Sequence, residues 1–254
     1  MIHSSDAHRL IADANTVLRG QVGSGLHGVT TGDDDRDEMG VCIEPPECVI
    51  GLRRFEQYIF RTQPEGVRSG PGDLDLVVYS LRKWARLAAA GNPTVLLLLF
   101  IPDQELTVST DVGQDVQRHP ERFLSRLAGR KFLGYLNSQR RRLTGDLSRR
   151  TNRPELIERY GFDTKFAYHA LRLGIQGIEL MEHGRITLPM PQPYRGQLVD
   201  VRQGKYTLPD ALGWLDEVTA RLESLTATAD LPEQPDQVVI DNWLVQTYQR
   251  HWEA

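Results

Sequence analysis

The chain has 254 residues, of which 40% are hydrophobic and 25% charged, and its formal net charge is −4. This length suits one large domain or two modest ones, and the negative charge excludes a protein that binds nucleic acid through its whole surface. The longest apolar run, residues 95–101, is too short to span a membrane, and the N-terminus lacks the features of a signal peptide. Two cysteines, Cys42 and Cys48, are too few for a disulfide framework or a zinc site. We therefore expect a cytoplasmic protein without a membrane partner.

The first hundred residues predict alternating strands and helices. A helix with Ser4 or Ser5 as its N-cap precedes strands over residues 17–22 and 37–43. Residues 52–72 are rich in charge, Gly and Pro, which predicts a hairpin or a flexible loop. A strand over residues 73–79 leads into a helix over 81–90 with Ser80 as its N-cap, and a very apolar helix follows through residue 100.

Strand signals become rare after about residue 102. The predicted helices cover residues 121–143, 163–182, 208–226 and 238–252, with a short extended segment over 185–190. We expect a catalytic core over residues 1–102 and a helical domain over 103–254. The predicted fold class is α/β (α+β), a mixed sheet with helices followed by a mostly helical C-terminal half.

A small-residue turn and an acidic run are the main candidates for a functional site. The turn begins at Gly23-Ser24, and its backbone N–H groups and hydroxyl suit a triphosphate. Asp35 and Asp37 lie two residues apart, so their side chains share one side of a strand and form a hard oxygen site of the kind that Mg²⁺ prefers. His27 in the same turn either contacts the triphosphate or supports the loop.

The acidic run has two alternative interpretations. Asp33, Asp35, Asp37 and Glu44 fall at the first, third, fifth and twelfth positions of an EF-hand calcium loop. That loop needs glycine where Glu38 stands, and the prolines that follow Glu44 disfavour the helix that must come next. The calcium interpretation therefore fails, and a plain solvated acidic loop remains the alternative to a metal site.

A third carboxylate from a neighbouring strand would complete a two-metal site. Asp75 opens the strong strand over residues 73–79 and is the best candidate. Asp73 has the same parity and is the reserve choice. Either aspartate could instead simply end the strand.

Two groups of basic residues stand out in the second half. Nine basic residues and only one acid, Asp146, occur between residues 126 and 153. Such a segment forms either a local phosphate-binding surface or a solvated helix face. One face of the predicted helix carries Lys165, His169 and Arg172, at positions i, i+4 and i+7. This face either binds phosphates or forms an exposed basic stripe.

Several separated motifs together resemble one known family. They are Gly23-Ser24, the Asp35 and Asp37 pair followed by Gly40-Val41, Tyr79-Ser80-Leu81-Arg82-Lys83-Trp84, Gly91-Asn92-Pro93 and residues 160–173. Over residues 20–190 the chain resembles the polymerase-β-like nucleotidyltransferases, and among them the predicted RNA-repair or RNA-ligase-associated family. Leu97 departs from the pattern, because the apolar helix of that family usually carries an acid there.

The resemblance implies a Mg²⁺-dependent enzyme, with Mn²⁺ as the alternative metal, that moves a nucleoside monophosphate from a nucleoside triphosphate to a hydroxyl. Asp35, Asp37 and Asp75 would be the metal ligands and catalytic residues, and the helical domain would complete the cleft for nucleotide and acceptor. The expected acceptor is RNA, either tRNA or another RNA end. The residues that would bind the nucleotide are Gly23, Ser24, His27, Lys165, His169 and Arg172. Transfer to a protein side chain, as in AMPylating enzymes, and a catalytically silent nucleic-acid-binding module are the alternatives.

Overall fold

The computed structural model describes residues 2–32, 34–146 and 153–253. Asp33 of the acidic run, and Arg149 and Arg150 of the basic segment over residues 126–153, lie outside these residues. Within the described part of the chain, none of the helices combines the length and the apolar character that crossing a bilayer demands.

The first part of the chain forms a mixed five-stranded sheet in the order β3-β4-β2-β1-β5. The strands are β1 (Thr16–Val22), β2 (Arg36–Cys42), β3 (Gln57–Arg61), β4 (Leu74–Ser80) and β5 (Leu106–Ser109). The β2–β4 pair is parallel, whereas the other neighbouring pairs are antiparallel. Because β2 and β4 run in the same direction, the residues that begin both strands meet at one edge of the sheet.

Eleven α-helices occur in the described residues. They are α1 (Asp6–Asn15), α2 (Gly23–His27), α3 (Pro46–Val49), α4 (Leu81–Ala89), α5 (Asp111–Arg118), α6 (Arg126–Leu143), α7 (Pro154–Tyr160), α8 (Thr164–His183), α9 (Tyr194–Arg202), α10 (Leu208–Thr228) and α11 (Gln237–Glu253). The N-caps follow the expected chemistry, since the side chains of Ser5 and Ser80 accept hydrogen bonds from backbone N–H groups in the first turns of α1 and α4. The mixed sheet and the helical second half confirm the predicted fold class.

The residues group into two compact units. One contains residues 1–90, 94–123 and 235–254, with the sheet and α11, and the other contains residues 91–93 and 124–234. These bounds differ from the predicted boundary at residue 102, and that division into domains stays a prediction. Two contacts extend the first unit beyond residue 102: β5 pairs with β1, and Tyr248 of α11 donates a hydrogen bond to Glu44.

The structure refines three predicted segments and adds one strand. Residues 52–72, expected as a hairpin or a flexible loop, contain the edge strand β3, which forms an antiparallel hairpin with β4. The apolar helix is a 3₁₀ helix, Val95–Phe100, and the segment over 185–190 contains neither a strand nor a helix. The strand β5 lies in a region where no strand was predicted. Leu97, at the position where an acid was expected, is 4% exposed in the apolar core.

Candidate metal centre and anion site

The register of the sheet aligns one residue from each of four strands. Arg61 pairs with Asp75, Asp75 with Asp37, and Asp37 with Val22. Side chains of directly paired residues project to the same side of a sheet. Asp35 lies immediately before β2 and two residues from Asp37, so it belongs to the same side.

Three of these residues form an acidic triad. Each of Asp35, Asp37 and Asp75 offers a carboxylate oxygen, and these oxygens lie within 4.8 Å of one another. All three residues are half-buried, so their mutual repulsion is not fully screened by water. Carboxylate oxygens in this arrangement fit Mg²⁺ or Mn²⁺, which prefer hard oxygen ligands.

Asp75 has two further partners that sequence reasoning missed. The Nε of Arg61 donates to Asp75 Oδ1 at 3.0 Å, and the hydroxyl of Ser69 lies 3.2 Å from the same oxygen. The hydrogen bond and the charge of Asp75 raise the pKa of Arg61, and the charges of Asp35 and Asp73 add to the effect. A guanidinium group therefore already neutralises part of the acidic triad.

The neighbouring acids have other partners. Both carboxylate oxygens of Asp73 accept hydrogen bonds from Gln63 Nε2, at 2.9 and 3.0 Å, and Gly70 N donates to Asp73 at 2.9 Å, which closes the turn before β4. Glu38 is 5% exposed and is bound by Arg19 and Arg36, at 2.6 and 2.7 Å. Of the two candidates for the third carboxylate, the structure therefore brings Asp75 to the triad.

The Gly-Ser turn lies directly against the acidic triad. Gly23 begins α2 with a left-handed φ of +68°, and a Cβ at this position would lie 2.0 Å from Asp37 Oδ2. Only glycine fits such a close approach. Ser24 is half-buried, whereas His27 is 2% exposed. Of the two roles that the sequence left open for His27, its burial favours support of the loop.

The other compact unit carries the predicted basic face on α8. Lys165, His169 and Arg172 are each half-buried. The N-cap Asp163 accepts hydrogen bonds from the first turn of α8 and also pairs with Arg153, at 3.1 Å. Burial is the main cause that holds the pKa of His169 well below its ordinary value. The imidazole is therefore neutral at pH 7, so only two of the three predicted cations carry a charge.

Two more arginines complete this basic cluster. After burial, the charges that lower the pKa of His169 are, in decreasing order, those of Arg172, Lys165, Arg153 and Arg202. Arg153 was seen in sequence only as part of the basic segment, and Arg202 was missed because nothing in its local sequence links it to α8.

Arg172 has an unused hydrogen-bond donor. Its Nη1 donates to Gln176 at 2.7 Å, whereas its buried Nε has no hydrogen-bond partner among the described residues. Burial lowers the pKa of this guanidinium. A half-buried cation whose buried Nε donor has no partner among the described residues favours binding of an anion, which would supply both charge and an acceptor.

Comparison with known proteins adds three findings. The sequence model of a family described as RlaP, RNA repair pathway DNA polymerase beta family, matches residues 3–246. An uncharacterized 38.9 kDa protein in the nrdC-mobD intergenic region of Enterobacteria phage T4 is 28% identical over 127 residues. That match covers 49% of this chain and 37% of the phage protein, so it spans well under half of the relative's length.

A solved structure also matches this chain. It is the crystal structure of a nucleotidyltransferase-like protein from Exiguobacterium sibiricum 255-15, with 13% sequence identity and a TM-score of 0.30. The match covers 87% of this chain and 74% of that protein.

Proposed function

Because the chain belongs to the RNA repair pathway DNA polymerase beta family, we propose that it is a metal-dependent nucleotidyltransferase that acts on RNA ends. It would transfer a nucleoside monophosphate from a nucleoside triphosphate to a hydroxyl group. The observation that carries this proposal is the acidic triad, in which Asp35, Asp37 and Asp75 bring their oxygens within 4.8 Å of one another. Without a cation, such a cluster of half-buried carboxylates is electrostatically costly.

In the proposed reaction an acceptor oxygen forms a bond to the α-phosphorus while the bond to the β-phosphate oxygen breaks. Pyrophosphate is the leaving group, and the acceptor hydroxyl releases its proton to solvent water. Divalent cations held by the triad would offset the charge that develops on the phosphate oxygens. Mg²⁺ is the proposed metal, with Mn²⁺ as the alternative.

The roles of the other residues follow from their surroundings. The turn at Gly23 and Ser24 lies against Asp37, so its N–H groups and hydroxyl are proposed to bind the triphosphate beside the metal ligands. Lys165 and Arg172 are proposed to bind phosphate oxygens, since Arg172 Nε is a buried donor without a partner among the described residues. His169 would act as a neutral hydrogen-bonding group, and His27 would support the turn.

The choice of RNA as acceptor rests on two supports. The family description names an RNA repair pathway, and α6 presents a run of exposed basic residues near its end, including Arg141 and Arg142. A positive surface of this kind attracts a phosphate backbone. RNA and nucleoside triphosphates are both available in the cytoplasm, the proposed location.

The test is a transfer assay with each α-³²P-labelled nucleoside triphosphate in turn. The acceptors are single-stranded RNA with a free 3′ hydroxyl, tRNA, DNA of the same sequence and bulk protein, each with Mg²⁺, with Mn²⁺ or with EDTA. We expect label on RNA, dependent on metal and lost in Asp35→Asn with Asp37→Asn. These substitutions relieve carboxylate repulsion, so the variant should keep its circular dichroism spectrum.

The other outcomes separate the alternatives. Label on protein would replace RNA by a side-chain acceptor, and activity of the double variant equal to wild type would contradict the role of the triad. For the anion site, Arg172→Gln should raise the nucleotide concentration needed for half-maximal rate, and Arg172→Lys should restore part of it, because a point charge cannot replace a two-pronged donor. Unchanged nucleotide dependence in both variants would remove Arg172 from the site.

A further inference from the structure

A cavity in the helical unit has no role in the proposed reaction. It has a volume of about 580 Å³ and lies between α8, α9, α10 and the segment over residues 185–191. This volume falls within the range of roughly 300–1,000 Å³ that is usual for small-molecule sites. Neither the acidic triad nor the cluster around His169 lines it.

The walls of the cavity suit a flat aromatic ligand. Trp214 and Tyr194 line it, and Ile175 and Val218, each 6% exposed, contribute apolar surface. The ring of Trp214 is supported by Tyr206, whose ring centroid lies 6.0 Å away with an interplanar angle of 31°. A supported indole ring is a stacking platform for a base.

The polar groups of the cavity divide into used and unused ones. Glu182 pairs with Arg221 at 2.6 Å, and Glu179 accepts a hydrogen bond from Thr187 N at 2.9 Å. By contrast, the indole N–H of Trp214, the hydroxyl of Tyr194 and the carboxylate of Glu217 make no hydrogen bond with any residue that the structure describes. The cavity therefore offers free donors and a free acceptor beside an aromatic ring.

The charge of the cavity argues against a phosphate as its occupant. Three lining carboxylates, those of Glu179, Glu182 and Glu217, stand against the two guanidinium groups of Arg185 and Arg221. The two arginine side chains are 67% and 56% exposed, so they lie at the rim, where a sugar-phosphate backbone could contact them. A neutral ring with donors and acceptors on its edge fits the interior better.

We propose that this cavity binds one unpaired base of a single-stranded RNA acceptor. The base would stack on Trp214, its edge would meet Glu217 and Tyr194, and the rim arginines would contact the adjoining backbone. This inference rests on the proposed function, because its ligand is the RNA acceptor of that reaction.

The test measures RNA binding without nucleotide and in EDTA, so that it does not depend on transfer. A fluorescein-labelled single-stranded RNA of about ten nucleotides is compared by anisotropy with an abasic oligomer of equal length and charge. For the wild type we expect the RNA to bind at least tenfold more tightly than the abasic oligomer. Trp214→Ala should reduce that ratio about tenfold and leave abasic binding unchanged, whereas Trp214→Phe should keep most of it.

A second variant covers the case in which Trp214→Ala fails to fold. Glu217 is exposed, so Glu217→Gln should fold normally and should change the relative affinities for oligo-A, oligo-C, oligo-G and oligo-U. Glu223→Gln makes the same charge change on α10 at an exposed residue outside the cavity, and should change none of them.

Equal binding of base-containing and abasic oligomers by the wild type would overturn the proposal. Loss of affinity for both oligomers in Trp214→Ala would do so as well. If these results came with metal-dependent transfer to RNA, the proposed function would stand without this cavity. Base-dependent binding through Trp214 without any transfer would leave the cavity assigned and the reaction rejected.

Discussion

Gly23 shows how one missing side chain can set the geometry of a metal centre. A Cβ at residue 23 would lie 2.0 Å from Asp37 Oδ2 and 2.9 Å from Asp37 Cβ, so the strand itself would have to shift. We predict that Gly23→Ala weakens Mn²⁺ binding, measured by electron paramagnetic resonance, by at least tenfold. Apart from its effect on the metal, holding an alanine in this left-handed φ destabilises the fold by about 1–2 kcal/mol.

Gly32 provides the matched control for this prediction. It also has a left-handed φ, +95°, but a Cβ there meets nothing within 4 Å. Gly32→Ala should therefore lower the melting temperature by a similar amount and leave Mn²⁺ affinity unchanged. Equal loss of affinity in both variants would mean that backbone strain, rather than the contact with Asp37, is responsible.

Arg61 raises the question of what holds the acidic triad together before a metal binds. Its guanidinium is bonded to Asp75 at 3.0 Å, so it supplies a positive charge that a divalent cation would otherwise provide. We predict that Arg61→Gln lowers the melting temperature in EDTA and increases the stabilisation gained on adding Mn²⁺. Arg53→Gln, which breaks an exposed pair with Glu47, should leave that gain unchanged. A smaller gain in Arg61→Gln would mean that Arg61 orients Asp75 for the metal.

The sequence predicts those site residues that lie close to one another along the chain. The spacing of Asp35 and Asp37 fixes their common side on any strand, and the structure brings them together. Asp73 and Asp75 point to the same side of a strand, so their spacing in the sequence could not show which of them joins the triad. The structure shows it because Asp73 is held in the turn by hydrogen bonds from Gln63 and Gly70. Arg61 could be found only by knowing that β3 pairs with β4.

At the scale of elements, the bounds of buried strands were predictable and those of edge strands were not. β1, β2 and β4 were predicted to within one residue at each end because their apolar, β-branched residues are buried in the sheet interior. β3 and β5 lie at the two edges of the sheet, where exposed and charged residues are normal and weaken the pattern. Because the expected hairpin or loop over residues 52–72 had no predicted register, the pairing of Arg61 with Asp75 was not predicted either.

The helix α11 is held against the sheet unit by a buried carboxyl group. Tyr248 donates to Glu44 Oε2 at 2.7 Å and accepts from Arg82 N at 3.0 Å, and Trp252 Nε1 donates to the Glu44 carbonyl at 3.2 Å. Glu44 is 0% exposed, and burial is the main cause that raises its pKa. Folding therefore shifts Glu44 toward its protonated form, relative to the unfolded chain.

This arrangement predicts a pH dependence of stability. Because the folded pKa of Glu44 lies above the unfolded value, its stabilising contribution is complete below the unfolded pKa and is lost as the pH rises through the folded pKa. We expect the free energy of unfolding of the wild type, relative to Glu44→Gln, to fall as the pH rises from 4.5, measured by urea denaturation. Parallel pH profiles for the two proteins would show that Glu44 ionises without penalty.

At the scale of the whole molecule, the distribution of charge matters more than its total. The formal net charge of −4 repels RNA at long range. In the basic segment, Arg126 and Arg130 pair with Glu233, Arg140 with Asp216 and Arg153 with Asp163. The exposed members without such a partner among the described residues are Lys131, Arg141 and Arg142. Sequence could count the basic residues, but it could not separate the paired from the unpaired ones.

We predict that Arg141→Gln with Arg142→Gln weakens binding of single-stranded RNA and makes it less sensitive to salt. Each lost phosphate contact should reduce the slope of log K against log salt concentration by about 0.7, hence by about 1.4 for both.

Arg9→Gln with Arg53→Gln is the matched control, because it removes two paired surface charges elsewhere. Either double variant changes the formal net charge from −4 to −6, since −4 − 2 = −6. Affinity measured by anisotropy from 50 to 300 mM KCl, roughly the range in which counterion release dominates, should show the change of slope only in the first. The same change in both would mean that total charge governs RNA binding.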